Sequence, residues 1–240
     1  MKTFTITDVG MKRTVNQDCV YCNESNVGIF PNLFIVADGM GGHKAGDMAS
    51  RLCVSTFTES VKASDLRTPV SVLGEAVFTA HNKVHDVSSD NDDYTGMGTT
   101  LVAATIIDDK LFVVNIGDSR LYILRDELIQ ITEDHSLVEE MVKSGEIEKD
   151  SVRSHPNKNI ITRALGIGYD VQPDYFNIDV CEGDIILMCT DGLINELSDN
   201  EIEYIIKSNG DNLDKAGMTL LNKANEAGGK DNITVLLVRV

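Results

Sequence analysis

Aspartates recur where apolar runs stop. The run at 33–37 leads into Asp38-Gly39 and the run at 185–190 into Asp191-Gly192, while Asp231-Asn232 stands directly before the last apolar run, 233–240. A carboxylate at a strand end is held rigidly, and a following glycine lets the backbone turn and offer its carbonyl. Oxygen donors of this kind suit hard divalent cations such as Mg²⁺ or Mn²⁺. Each site alone is ordinary turn chemistry. The informative feature is the set, placed alike relative to strands.

Other segments carry related chemistry. Arg13-Thr14-Val15-Asn16-Gln17-Asp18 lies between the first two strand-like runs. Its guanidinium can fork two bonds to the oxygens of a phosphate, and Asp18 can bind a cation directly or through water. Alone, the hexapeptide reads as a surface ion pair. Asp38-Gly39-Met40-Gly41-Gly42-His43 has the glycines to bring backbone close to a ligand, without the G-x-G-x-x-G spacing of a dinucleotide site. Gly229-Lys230-Asp231 is no P-loop, because neither Ser nor Thr follows the lysine. Gly117-Asp118-Ser119-Arg120 fits a turn, with Asp118 a further candidate ligand.

Two nucleophile motifs are missing. No cysteine is followed six residues later by arginine, and Asp90 and Asp92 have Tyr94 where an aspartyl-phosphate motif wants Thr or Val. His81 and His85 share a helix face and, with Asp86, suggest a metal-dependent His-Asp hydrolase. Two histidines at this spacing are a weak metal signal, and a polar helix face is the preferred reading.

These residues need a frame. Strand-like runs occupy 3–9, 19–22 and 33–37, followed by two helices: one with its apolar stripe on Ala49, Leu52, Cys53, Phe57 and Val61, and one over 69–87 that begins at Pro69. A polar loop is expected at 88–94. Strands return at 101–107 and 110–116 around Asp108-Asp109, then at 120–124 and 128–131 as a meander. Residues 132–163 form a charged insert, or flap, with a short helix near 137–142. Strands at 175–180 and 185–189, helices at 199–208 and 212–227, and a strand at 233–240 complete the chain. Blocks of antiparallel strands separated by helix pairs predict an α+β layered fold rather than a doubly wound sheet.

In order, Arg13 with Asn16-Gln17-Asp18, Asp38 to His43, Gly98-Thr99-Thr100, Gly117 to Arg120, Thr162 to Gly166, Thr190-Asp191-Gly192 and Asp231-Asn232 resemble the metal-dependent protein phosphatases (PPM family, type 2C), in the compact bacterial form. The resemblance spans 13–240. It implies a central sandwich of two antiparallel β-sheets flanked by helix pairs. It also implies hydrolysis of phosphoserine and phosphothreonine on proteins by a hydroxide bridging two Mn²⁺ or Mg²⁺ ions. Asp38 would bridge the metals, with the Gly39 carbonyl on one and Asp191 and Asp231 on the other. Asp18 would act through water, and Asp118 with Asp191 would match a third metal site. Arg13 matches the phosphate-binding arginine, and 132–158 the mobile flap. Animal members carry a histidine after the Asp-Gly as proposed general acid. Met40 stands there in this chain, and His43 is the candidate in its place. The implied partners are phosphorylated proteins, including a Ser/Thr kinase and its substrates. The alternative is an inactive relative that binds phosphoproteins, which would have no use for the ligand aspartates.

Composition agrees. A chain of 240 residues, 42% hydrophobic and 25% charged, suits one soluble domain, 1–240. Thirty-eight acidic against 21 basic residues leave −17, which argues against a general nucleic-acid binder. An acidic protein repels phosphate unless bound cations invert the local field. The odd count of five cysteines points to reduced thiols in the cytoplasm. Cys19 and Cys22 lack the second pair of a zinc site. The longest apolar runs, 33–37 and 185–189, are too short to enter a membrane, and the first ten residues are no signal peptide. A monomer is the default expectation.

Overall fold

The computed structural model describes residues 1–42 and 45–240. Eleven strands form two antiparallel sheets among the described residues. One sheet holds β1 (Lys2–Asp8), β11 (Ile233–Arg239), β10 (Ile185–Cys189), β7 (Arg120–Leu124) and β8 (Leu128–Gln130), in that order. The other runs β2 (Asp18–Asn23), β3 (Leu33–Met40), β5 (Leu101–Ile107), β6 (Lys110–Ile116) and β9 (Asp174–Asp179), with β4 (Gly98–Thr99) paired to the end of β3.

Period-two patterning builds the layers. On β3, Phe34 and Val36 point into the space between the sheets, where they meet Val102, Leu121, Met188 and Leu236. Leu33, Ile35 and Ala37 point the other way, onto α1 (Ala45–Ala63) and α2 (Pro69–Asp90) through Phe57, Val61, Leu73 and Val77. On the far sheet, Leu187, Cys189, Val235 and Leu237 pack against α5 (Asp199–Asn209) and α6 (Leu213–Ala227). Both faces of both sheets are covered, so the strands read as continuous apolar runs. The result is the α-β-β-α sandwich.

Helix starts follow their sequence signals. Thr68 caps α2 by accepting from the Ser71 amide, with Pro69 in the first turn. Ser198 and Glu201 form a capping box at α5.

Four expectations are corrected. β3 continues through Met40, so Asp38 and Gly39 lie within a strand. Asp191 opens a short helix, α4 (Asp191–Ile194), where a turn was expected. The expected loop at 88–94 is partly helical: α2 absorbs 88–90 and a 3₁₀ turn takes Asp92–Tyr94. β6 and β7 are not meander neighbours; the chain changes sheets between them, at Gly117-Asp118-Ser119. The insert carries α3 (Leu137–Lys143), capped by Ser136, and a 3₁₀ segment, Lys149–Ser154. No helix among the described residues is long and apolar enough to cross a membrane.

Candidate active site

The acidic residues meet at one end of the sandwich. Asp18 and Asp38 are register partners on β2 and β3. Asp191 follows β10 and Asp231 precedes β11 on the other sheet, and Asp118 occupies the crossing between sheets. Two hydroxyls join the sheets at this point. Thr234 Oγ1 donates to Asp18 Oδ2 at 2.6 Å and Thr190 Oγ1 donates to the same oxygen at 2.9 Å.

Backbone contacts fix Asp38. Its N–H donates to Thr100 Oγ1 at 2.9 Å, and its carbonyl accepts from the Thr100 amide and from Thr99 Oγ1, each at 2.9 Å. Its carboxyl lies within reach of the charge of Asp191, which disfavours its ionisation. Asp191 Oδ2 accepts from Asn195 Nδ2 at 2.9 Å, one helical turn on.

Gly39 serves close approach. Its N–H donates to the Gln17 carbonyl at 3.1 Å, and an added Cβ would stand 2.0 Å from the Gly46 carbonyl oxygen. The start of α1 can therefore lie against β3 only over a glycine.

Arg13 reaches the cluster from the β1–β2 loop, where its Nη2 donates to Asp231 Oδ2 at 2.7 Å. Asn232 clasps that loop. It accepts from the Gln17 amide at 2.8 Å and donates to the carbonyls of Val9 and Val15 at 2.9 and 3.0 Å.

Arg120 braces the sheet crossing beside Asp118. Its Nε and Nη2 bond Asp134 at 2.8 and 2.7 Å, and its Nη1 donates to the Tyr122 hydroxyl, which in turn reaches Asp199. The flap is stitched at its base by buried His135. His135 Nδ1 accepts from the Gly117 amide at 3.0 Å while Nε2 meets Asp174 Oδ2 at 2.9 Å. Arg163, at the other stem of the flap, joins the same Asp174 at 3.1 Å.

Electrostatics set this cluster apart. Burial pushes the Asp18 carboxyl up to about 7; the hydroxyls of Thr234 and Thr190 oppose that rise, and the charges of Asp191 and Asp231 add to it. Burial and Asp231 carry Asp191 up to about 6. Asp38 and Asp118 are both raised well above the usual carboxylate range by burial, then by neighbouring aspartates. The crowd favours protons or cations over free negative charge.

Three buried oxygens in the cluster have no hydrogen-bond partner: Oδ1 of Asp18, of Asp118 and of Asp191. Buried acceptors without donors are rare and cost about 1–3 kcal/mol each, more for charged groups. Orphaned anionic oxygens on several carboxylates fit hard divalent cations. Among the described residues, no three His, Cys, Asp or Glu side chains close on one point as a finished cage. Such an open donor set suits ions that keep much of their water.

The sequence-predicted residues Arg13, Asp18, Asp38, Gly39, Asp118, Asp191 and Asp231 thus converge. His43 lies outside the described residues. His81 and His85 do not join the cluster. His81 is buried and accepts from the Gly166 amide through Nδ1 at 3.2 Å, and His85 stacks between it and Tyr169. The expected polar helix face is therefore a packing contact. Sequence reasoning missed Thr234, Asn195 and the His135–Asp174–Arg163 stitch. Only Thr234 carried a signal, as the lone polar residue within the buried run 233–238.

Beside Asp118 and Asp191 opens a cavity of about 690 Å³, walled on its far side by the flap.

Comparison with known proteins agrees with this geometry. The protein phosphatase 2C family profile matches residues 11–228. The chain is 42% identical over 226 residues to the serine/threonine phosphatase stp of Listeria monocytogenes, covering 90% of this chain and 89% of that one. The solved serine/threonine phosphatase of S. agalactiae superposes with a TM-score of 0.91 at 37% identity, over 100% of this chain and 99% of that one. The catalytic domain of the phosphatase PstP, solved with two manganese ions, gives 0.85 at 32% identity over 98% and 96% of the two chains. Seven ordered motifs, the two-sheet sandwich and the shared acidic end thus have a single explanation: the chain belongs to the protein phosphatase 2C family.

Proposed function

We propose that this chain, a protein serine/threonine phosphatase, works with two Mn²⁺ or Mg²⁺ ions held by Asp38, the Gly39 carbonyl, Asp191 and Asp231. Asp18 would act at one remove, and Asp118 with Asp191 would offer a third position. The observation that carries the reading is the set of orphaned oxygens on Asp18, Asp118 and Asp191 inside one buried acidic cluster. When bound, divalent cations acidify water and offset the charge of the phosphoryl group.

The chain's own residues do the rest. Thr190 and Thr234 hold Asp18 across the gap between the sheets, both reaching it from the β10–β11 side, so the carboxylates keep their spacing as charge changes. Asn195 orients one oxygen of Asp191 and leaves the other free to bind. Arg13 stands at the rim, half exposed, where its second guanidinium edge can take two phosphate oxygens. The carboxylates need no covalent role, and the two buried cysteines, Cys53 and Cys189, have thiols raised by that burial. His43 is the candidate proton donor to the leaving oxygen.

Phosphorylated proteins, including a Ser/Thr kinase and its targets, are the proposed substrates, and the cytoplasm the proposed compartment. The lack of a basic surface excess speaks against nucleic acid, and no oligomeric contact is needed to complete the site, which favours a monomer. Residues 1–240 are read as one domain, with 132–163 as its flap.

The test is hydrolysis of p-nitrophenyl phosphate and a phosphothreonine peptide by chelator-stripped protein. Turnover should return with Mn²⁺ or Mg²⁺ and stay absent in Asp38→Ala. Silence with every metal on both substrates would replace this reading with phosphoprotein binding.

A further inference from the structure

We infer that the cavity between the flap and α4–α5 is a second anion subsite, which binds an acidic or phosphorylated side chain flanking the phosphoresidue under attack. The inference rests on the proposed reaction and names the substrate class that this site prefers.

Size comes first. About 690 Å³ is far more than one phosphoryl group fills, and the cavity is continuous with Asp118 and Asp191. It falls in the range of pockets that enclose whole ligands. A phosphopeptide lying across the acidic cluster therefore has room to place a neighbouring side chain in it.

Charge then selects the side chain. The acidic groups on the wall already face donors. Asp134 is bound in two places by Arg120, and Glu133 accepts from Lys143 at 2.6 Å. Glu139 adds to the charge around the same Lys143, and Asp199 accepts from Tyr122 at the start of α5. Asp118 and Asp191 belong to the cation site. The basic groups differ. Lys149, Arg153 and Lys158 all line the cavity, all come from the flap, and have no ion-pair partner within 4.0 Å among the described residues. Lys149 and Arg153 belong to the same 3₁₀ segment. Lys158 is half-buried and its charge is felt at Asp191. Arg153 also acts on Glu201 at the start of α5, yet among the described residues none of these three flap cations has an ion pair within 4.0 Å, and in a chain of net charge −17 they make a local positive patch. A carboxylate or a second phosphate satisfies them; a neutral side chain does not.

The placement also divides labour. Arg13 is paired with Asp231, does not line the cavity and addresses the reacting phosphate. Lys149 and Arg153 line the cavity and are not among the residues that hold the cations or the reacting phosphate. They act on KM and leave kcat unchanged.

The experiment uses the Mn²⁺-loaded full chain and a phosphothreonine peptide otherwise neutral. Glutamate, then phosphoserine, is placed at each flanking position in turn. At one position on one side, kcat/KM should rise roughly tenfold over the neutral peptide, through KM. The glutamate and phosphoserine arms separate carboxylate from phosphate as the preferred partner. The K149A/R153A variant should lose most of the preference and keep wild-type kcat/KM on the neutral peptide and on p-nitrophenyl phosphate; Lys158 is left in place because its charge reaches Asp191. Affinity for the same peptides carrying a non-hydrolysable phosphonate, read by fluorescence anisotropy, gives the ranking without turnover. Equal kcat/KM and equal affinity for neutral and acidic peptides would overturn the subsite, as would a preference that survives undiminished in the double variant. Absent turnover with a preserved affinity ranking would instead remove the proposed reaction and keep the subsite.

Discussion

Arg13 Nη2 and Asp231 Oδ2 are 2.7 Å apart, so the arginine that approaches the acidic cluster is oriented by one of its carboxylates. The pair is exposed by 48% and 29%, and exposed pairs add little to stability. Arg13→Ala should move the unfolding free energy by less than about 1 kcal/mol. It should raise KM and weaken inhibition by inorganic phosphate roughly 10- to 100-fold, through the loss of a forked charge-assisted contact. Steady-state kinetics with phosphate as inhibitor separate the two effects. A loss confined to kcat would assign Arg13 elsewhere.

Asp38 is crowded by Asp18, Asp191 and Asp118, and burial disfavours its charge. Asp38→Asn keeps the shape and removes one acid. Metal-free protein should therefore melt at a higher temperature after this change, while the rise on adding Mn²⁺ and the activity are both lost. Scanning calorimetry with and without Mn²⁺ reads both arms. A metal-free variant less stable than the parent would show that the cluster is not strained by like charge.

The same crowding sets a pH dependence. Asp18 is raised from 3.8 to about 7, and Asp191 from 3.8 to about 6. A carboxyl whose pKa is higher in the fold binds its proton more tightly there. Its contribution is full below the unfolded value and is lost as pH rises through the folded one. Chelator-treated protein should thus unfold at a lower temperature at about pH 8 than at about pH 5, the loss falling between these two carboxyl ranges. Saturating Mn²⁺ should reverse the trend, because cation binding requires the deprotonated acids. Thermal melts across this range with chelator or metal provide the check.

Gly39 and Gly192 occupy matching places after Asp38 and Asp191. An added Cβ would stand 2.0 Å from the Gly46 oxygen in one case and 2.0 Å from the Asn232 oxygen in the other. Backbone atoms cannot yield as a flexible side chain can, so Gly39→Ala should cost roughly 2–4 kcal/mol and displace the start of α1. Denaturant midpoints at constant m-value measure the cost. Gly42→Ala is the control, since nothing among the described residues lies within 4 Å of its added Cβ.

Much of the frame was legible because burial imposes period. The runs at 33–37, 101–107 and 185–189 read as strands from their apolar content, and Pro69 marks a helix start through local chemistry. Errors arose where tertiary contact outweighs local preference. Asp38-Gly39 looks like a turn, yet the Thr99–Thr100 contacts keep β3 extended through Met40. The strands at 110–116 and 120–124 look like neighbours, yet a sheet change at Asp118 separates them, and neither period nor propensity records which sheet a strand joins.

The identities of the ligand-type residues and their order were set by the sequence alone, because oxygen chemistry and motif spacing are local properties. So were the arginine, the absence of the cysteine and aspartyl nucleophile motifs, and the layered α+β class. Only the tertiary structure decided that Asp18 is held by hydroxyls from two different strands, that Arg13 rests on Asp231, and that His81 is a buried packing partner. It alone placed three flap cations beside one cavity. These relations join residues as far apart in the chain as Arg13 and Asp231, and such contacts depend on how the two sheets stack, which no local pattern encodes.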